Sequence, residues 1–287
     1  MIEFLTPHSI ASAVRLLRDA HAGAIAVFEG DTDIRLFSKF LDETVCVPIN
    51  AHNKDNALGV LAILDAEVVT GVLAIVDADY WRVEGVEPPS PNAFASDEHD
   101  LEVTIFKSPA LEHVLAEYGS PAKIESFAAT TATAIRGAVL AVVVPIGCLR
   151  WASLRSGLNL RFEGLVFSRF VQLRAPMALD RPRFIKTVLA KSHRLDLSVN
   201  QVANLMAARE NVAADSWQVV CGHDLCCVLS LALRTLLGGN NANEVRPEVI
   251  ELSLRLAYQE PHFRATALYR SIEHWEQATG YRVFTQQ

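Results

Sequence analysis

Hydrophobic and polar positions follow two rhythms along the chain. In the first hundred residues, short uninterrupted apolar runs alternate with stretches of helical period. Beyond Pro109 the helical period takes over. The runs at 24–28 (Ala-Ile-Ala-Val-Phe), 45–49 (Val-Cys-Val-Pro-Ile) and 72–76 (Val-Leu-Ala-Ile-Val) predict strands. Unbroken Val/Ile-rich runs of this length belong to parallel sheets covered on both faces. Pro48 cannot donate to a ladder and places the second strand near an edge. Between the strands, the spacing predicts a helix over 9–20, with Ser9 as cap and Ile10, Ala13, Val14, Leu16 and Leu17 as its apolar stripe. A second helix is expected over about 32–42, capped by Asp31 or Thr32, and a third from about Lys54 to Val69. Residues 82–96, with Pro88, Pro89 and Pro91, read as a loop.

Further helices are expected around Leu111, Val114 and Leu115, and over 127–144. Others should start at Asp180 with Pro182 in the first turn, and at Ser198 with Val199, Val202, Ala203, Leu205 and Met206 on one face. The 158–171 stretch alternates loosely and suits a short strand or hairpin. Val219–Asp224 should lead into an apolar helix ending near Gly238-Gly239, with last helices over about 246–258 and 265–278. The expected architecture is α/β: a parallel sheet flanked by helices, then a mainly α-helical C-terminal region. The sequence pattern divides it into an α/β domain, 1–108, and a helical domain, 109–287, the latter expected to serve substrate, dimer or partner contacts.

Acidic residues follow the strands. Glu29-Gly30 succeeds the first, Asp77-Ala78-Asp79 the third, and Asp97-Glu98-His99-Asp100-Leu101-Glu102 closes the loop after it. Ligands of open α/β sheets sit outside the carboxyl ends of the strands. Clustered carboxylates repel one another unless a hard cation such as Mg²⁺ or Mn²⁺ neutralises them. Glu29, Asp77 and Asp79, joined by Asp100 or Glu102, are therefore candidate metal ligands. Glu29 is also the candidate for moving a proton. His99 is either a hydrogen-bonding group or a ligand. Asp31 and Asp33 favour a helix N-terminus electrostatically, although Asp33 is also within reach of the same strand ends. Lys54, at a strand–helix junction, is either a phosphate contact or an exposed loop lysine.

The charge of −7 would by itself argue against a nucleic-acid partner, but it is unevenly spread. Residues 1–117 hold 20 Asp/Glu against 7 Lys/Arg, whereas 150–194 hold 10 Lys/Arg against 2 Asp/Glu. An acidic half beside a basic segment suits metal chemistry on a polyanion; two solvated faces of opposite sign would look the same. Arg150, Arg155, Arg161, Arg169, Arg181, Arg183 and Lys186 are the candidate backbone contacts. His223 and Asp224 either cap their helix or line a cleft between the halves. Five cysteines without paired Cys-x-x-Cys spacing read as buried apolar residues in a reducing cytoplasm. Met1–Phe4 lack a basic secretory n-region. The apolar 137–149 stretch is shorter than the roughly 20 residues of a membrane span, so a buried helix is expected there.

Glu29-Gly30 after one strand and Asp77-x-Asp79 after another, in that order, resemble the TOPRIM domain of topoisomerases, primases and OLD-family nucleases. The likeness covers roughly residues 22–107. Val27-Phe28-Glu29-Gly30-Asp31-Thr32-Asp33-Ile34 followed by Phe37, with Gly222-His223-Asp224-Leu225 further on, resembles the OLD-related branch that supplies the effectors of PARIS anti-phage defence. That resemblance implies a Mg²⁺-dependent nuclease, a toxic effector held by a partner ABC/AAA-type ATPase and released to cleave host RNA, with tRNA as substrate. It also implies a homodimer when active. No Gly-x-x-x-x-Gly-Lys-Ser/Thr loop is present, so ATP hydrolysis would fall to another chain. Without a nominated strand-passing tyrosine, hydrolysis is favoured over topoisomerase chemistry. A non-catalytic assembly subunit of an ATPase complex, an OLD-like DNA nuclease and a small phosphatase remain the alternatives. The reading includes no membrane role.

Overall fold

The computed structural model describes residues 6–285. The expectation for Met1–Phe4 therefore lies outside the described residues. In chain order the helices are α1 (Pro7–Ala20), α2 (Asp31–Phe37), α3 (Lys54–Ala66), α4 (Trp81–Glu84), α5 (Leu101–Lys107), α6 (Ala110–Tyr118), α7 (Pro121–Thr131), α8 (Ile135–Arg155), α9 (Arg181–Lys191), α10 (Val199–Glu210), α11 (Gly222–Thr235), α12 (Pro247–Ala257), α13 (Glu260–Arg264) and α14 (Ala267–Thr279). The strands are β1 (Ala24–Phe28), β2 (Cys46–Asn50), β3 (Val72–Val76), β4 (Ala93–Ala95), β5 (Val171–Gln172) and β6 (Ala178–Leu179).

The chain forms two compact units that do not follow the division expected at residue 108. Among the described residues, the first contains 6–78, 86–97 and 259–285; the second contains 79–85 and 98–258. The C-terminal segment thus belongs with the sheet. Phe263 of α13 packs among Phe37, Phe40, Tyr269 and Phe284, and Leu41 forms a β-bridge with Phe284. Asp97 also accepts from the Ala267 and Leu268 N–H groups, and Trp275 donates to Asn92; these tertiary contacts bring the segment back, and no local pattern encodes them.

In the first unit the sheet is parallel with order β2-β1-β3-β4. Every residue of β1 and β3 is buried, as their unbroken apolar runs require. Pro48 sits in β2, an edge strand, as expected. β4 lies inside the stretch read as a loop; three residues between prolines and bends give too little period to recognise. α1 packs on α3. Thr6, not Ser9, caps α1, and Ser9 answers from the third helical position to close a capping box.

The second unit is helical around α8, α10, α11 and α12. The helix expected over 127–144 is two helices, because Ala132 takes a left-handed conformation (φ 51°) and ends α7 before α8 begins. Asp180 and Ser198 cap α9 and α10 as expected, Ser198 in a capping box with Gln201. The 158–171 stretch is mostly loop; a short hairpin of β5 and β6 starts at its end. Among the described residues, one helix, α8, is long and apolar enough to cross a membrane, and 67% of its most apolar window is buried within the protein. All five cysteines are free; Cys221 is half-buried and the other four are buried.

Candidate functional site

The carboxylates singled out in the sequence divide between the units: Glu29 and Asp77 in the first, Asp79, Asp100 and Glu102 in the second. In the first unit the chain runs from β1 outward to β2, then passes back over β1 to β3 and β4. The strand order therefore reverses between β1 and β3, where parallel sheets open a crevice at their carboxyl ends. Phe28 lies opposite Ile75, so Glu29 and Asp77 leave adjacent strands at this point. Glu29 Oε1 accepts a hydrogen bond from the Asp77 backbone N–H at 2.6 Å. Lys54, the first residue of α3, donates from Nζ to the Asp77 carbonyl at 2.5 Å. Both carboxylate-bearing residues are half-buried. Asp31 accepts from the Asn50 amide at 2.7 Å, and Asp33 accepts from the Gly30 N–H at 3.0 Å in the first turn of α2. Asp33 thus does at the helix start what its position suggested.

In the second unit, Asp79 is exposed and held at φ 48°, a left-handed conformation that costs energy for a residue with a side chain. His99 clamps it. The Asp79 N–H donates to the His99 carbonyl at 2.7 Å, and the Asp79 carbonyl lies 2.8 Å from His99 Nδ1. A second carbonyl, of Gln218, lies 3.3 Å from the same nitrogen. Two acceptors at Nδ1 place the proton there and fix the tautomer. His99 is therefore a positioning group for Asp79.

Asp100 and Glu102 begin α5, a helix where the sequence showed only an apolar run after an acidic segment. Asp100 caps it, accepting from the Val103 N–H at 2.7 Å through Oδ1 and from the Gly222 N–H at 2.9 Å through Oδ2. Burial, then the neighbouring Glu102 charge, push the Asp100 carboxyl up to about 8. Glu102 is raised chiefly by burial, with Arg255 3.9 Å away. Gly222 is required here: a Cβ would stand 2.2 Å from Glu102 Cβ and 2.9 Å from Asp100 Oδ1. His223 Nδ1 lies 2.6 Å from Glu251, and Nε2 lies 3.5 Å from Cys227 Sγ. Asp224 is fully buried and receives two hydrogen bonds from Arg150, from Nε to Oδ2 and from Nη2 to Oδ1, each at 2.9 Å.

Several candidate phosphate contacts are committed to protein carboxylates. Arg150 pairs with Asp224, Arg155 with Glu84, and Arg181 with Glu210. Arg161, Arg169, Arg183 and Lys186 are exposed. Sequence reasoning missed the residues around Asp79 and Arg150: Tyr80, Asn159, Phe162 and Cys221 line one cavity with them. The Gly157-Leu158-Asn159 turn signal after α8 marked that loop, yet nothing local tied it to Asp79.

The donors at the sheet and around Asp79 are carboxylate oxygens. Hard oxygen donors fit Mg²⁺ or Mn²⁺ and disfavour thiolate-seeking metals. Among the described residues, no three His, Cys, Asp or Glu side chains converge as a ready-made metal group. No family model matches the chain, and no curated protein matches it.

Proposed function

We propose that the protein is a metal-dependent phosphodiester hydrolase of TOPRIM type that cuts nucleic acid. The observation that carries this reading is the placement of Glu29 and Asp77 at the carboxyl ends of adjacent buried strands, at the point where strand order reverses. Glu29 and Asp77 would hold Mg²⁺ or Mn²⁺ in the first unit, whereas Asp100 in the second unit has both oxygens taken by the Val103 and Gly222 N–H groups and serves as a helix cap. When bound, such an ion polarises the phosphate and stabilises charge on the attacking and leaving oxygens. Glu29, held through Oε1 by the Asp77 N–H, would move a proton to or from water at the strand ends. Lys54 fixes the Asp77 carbonyl and thereby the path of the chain after β3. The exposed Arg161, Arg169, Arg183 and Lys186 supply backbone contacts to a polyanion.

The likeness of the Glu29–Phe37 stretch to defence effectors supports a narrower version. The target is then host RNA, with tRNA the implied class, and a partner ABC/AAA-type ATPase holds the effector until release, after which it acts as a homodimer in the cytoplasm. The test is expression of the wild type and of Glu29→Ala, followed by sequencing the ends of cellular RNA and DNA. Discrete RNA cuts with growth arrest, absent in the variant, support the full reading. Cuts confined to DNA keep the hydrolase and remove the RNA target. No cuts in either, with partner and trigger supplied, favour the assembly-subunit alternative.

A further inference from the structure

The cavity beside Asp79 lies wholly in the second unit and measures about 410 Å³. It is lined by Asp79, Tyr80, Arg150, Asn159, Phe162 and Cys221, among others. We propose that it binds a single nucleotide unit, with the phosphate on Arg150. The inference deepens the nuclease reading at Asp79 but is tested by binding alone.

Arg150 is built as a fixed donor. Buried Asp224 takes its Nε and Nη2 hydrogens in a two-pronged pair, and the guanidinium carbon lies 4.5 Å from the centre of the Phe162 ring. These contacts set the guanidinium plane and leave Nη1 as the donor not engaged by Asp224. A planar donor held in place by a buried carboxylate loses little freedom when an oxyanion meets it. The cavity is too large for a bare oxyanion and has the size of a small-molecule site. Its walls suit the rest of a nucleotide. Tyr80 stacks on Trp151 at 5.8 Å between ring centres and packs against His99 at 4.7 Å, which makes a rigid aromatic wall.

The loop carrying Asn159 is equally fixed. Leu158 and Leu160 donate their N–H groups to the Ser153 carbonyl and hydroxyl, and Arg194 donates to the Leu158 carbonyl. Asn159 itself is exposed at φ 53°, so its amide can meet a base edge or a ribose hydroxyl. Cys221 is no nucleophile, because burial pushes its thiol up. Asp79 puts a negative charge on the same cavity, so the nucleotide is expected to enter as its magnesium complex.

Titration calorimetry on the full chain, with AMP, CMP, GMP or UMP in MgCl₂ and the matching nucleosides as controls, tests the proposal. Removing Arg150 alone would strand Asp224, so the informative variant is Arg150→Met with Asp224→Leu, which removes the buried pair together. The expected result is nucleotide binding that weakens about tenfold or more in the double variant at unchanged fold. A severalfold loss is expected in Asn159→Gly, which suits the left-handed backbone and removes the exposed amide. Equal affinity for nucleotide and nucleoside, or wild-type affinity in the double variant, overturns it. Nucleotide binding without nucleic-acid cleavage would keep this site and remove the nuclease reading; cleavage without nucleotide binding would do the reverse.

Discussion

Glu29 and Asp77 of the sheet unit and Asp224 of the helical unit are all carboxylates at the start of a turn or helix, yet their surroundings differ. Glu29 and Asp77 are half-buried at strand ends, beside an ammonium and backbone N–H groups. Asp224 is fully buried with both oxygens taken by one guanidinium. A carboxylate saturated by protein donors is a structural group that orients its partner. A half-buried carboxylate at a strand end keeps contact with solvent. Residue type alone does not separate the two; depth of burial does.

The largest expected effect comes from breaking the saturated pair. Asp224→Ala leaves the Arg150 charge without its partner and should cost about 3–5 kcal/mol, whereas the Arg150→Met/Asp224→Leu double variant should stay near the wild type. Urea unfolding of the three proteins checks this, and a single variant as stable as the wild type would mean that the pair is not closed in solution. Gly222→Ala should come next. Its Cβ meets Glu102 Cβ at 2.2 Å, and overpacking of this kind costs about 1–3 kcal/mol.

The comparison sharpens at Asp79, where position and strain coincide. Asp79→Gly relieves the left-handed backbone and should leave stability unchanged or raise it by about 0.5–1 kcal/mol, while cleavage falls. Loss of both stability and cleavage would instead assign Asp79 a structural role. The smallest effect concerns His223, raised to about 10 by its hydrogen bonds with Cys227 and then Glu251. A raised folded-state value makes its contribution complete below about pH 6.5 and lost as pH climbs toward 10. With the side chain 55% exposed, that contribution stays below about 1 kcal/mol, and His223→Gln should flatten this part of the stability profile.

What the sequence made legible follows the same division. β1 and β3, with the acids after them, were readable because strands buried on both faces must be apolar throughout and the polar residue that follows is then conspicuous. The edge position of β2 was readable from Pro48. The return of Phe263 and Phe284 to the sheet unit was not, since aromatic residues at a helix and a chain end carry no address. The pairing of Arg150, Arg155 and Arg181 with Asp224, Glu84 and Glu210 was hidden for the same reason: each partner is at least 29 residues away in sequence. The basic excess of 150–194 is therefore partly offset within the protein, and Arg150 meets a ligand as an oriented donor, not as an uncompensated charge.

The most direct measurement is cleavage of labelled RNA and DNA by the purified protein, wild type against Glu29→Gln, in Mg²⁺ and in EDTA. The amide keeps an oxygen for the Asp77 N–H, so the fold at the strand ends is preserved while the negative charge is removed. The expected result is cleavage that requires Mg²⁺ and falls at least about a hundredfold in Glu29→Gln at unchanged melting temperature. Cleavage by Glu29→Gln at the wild-type rate would contradict the assignment of the strand-end carboxylates as the reacting site.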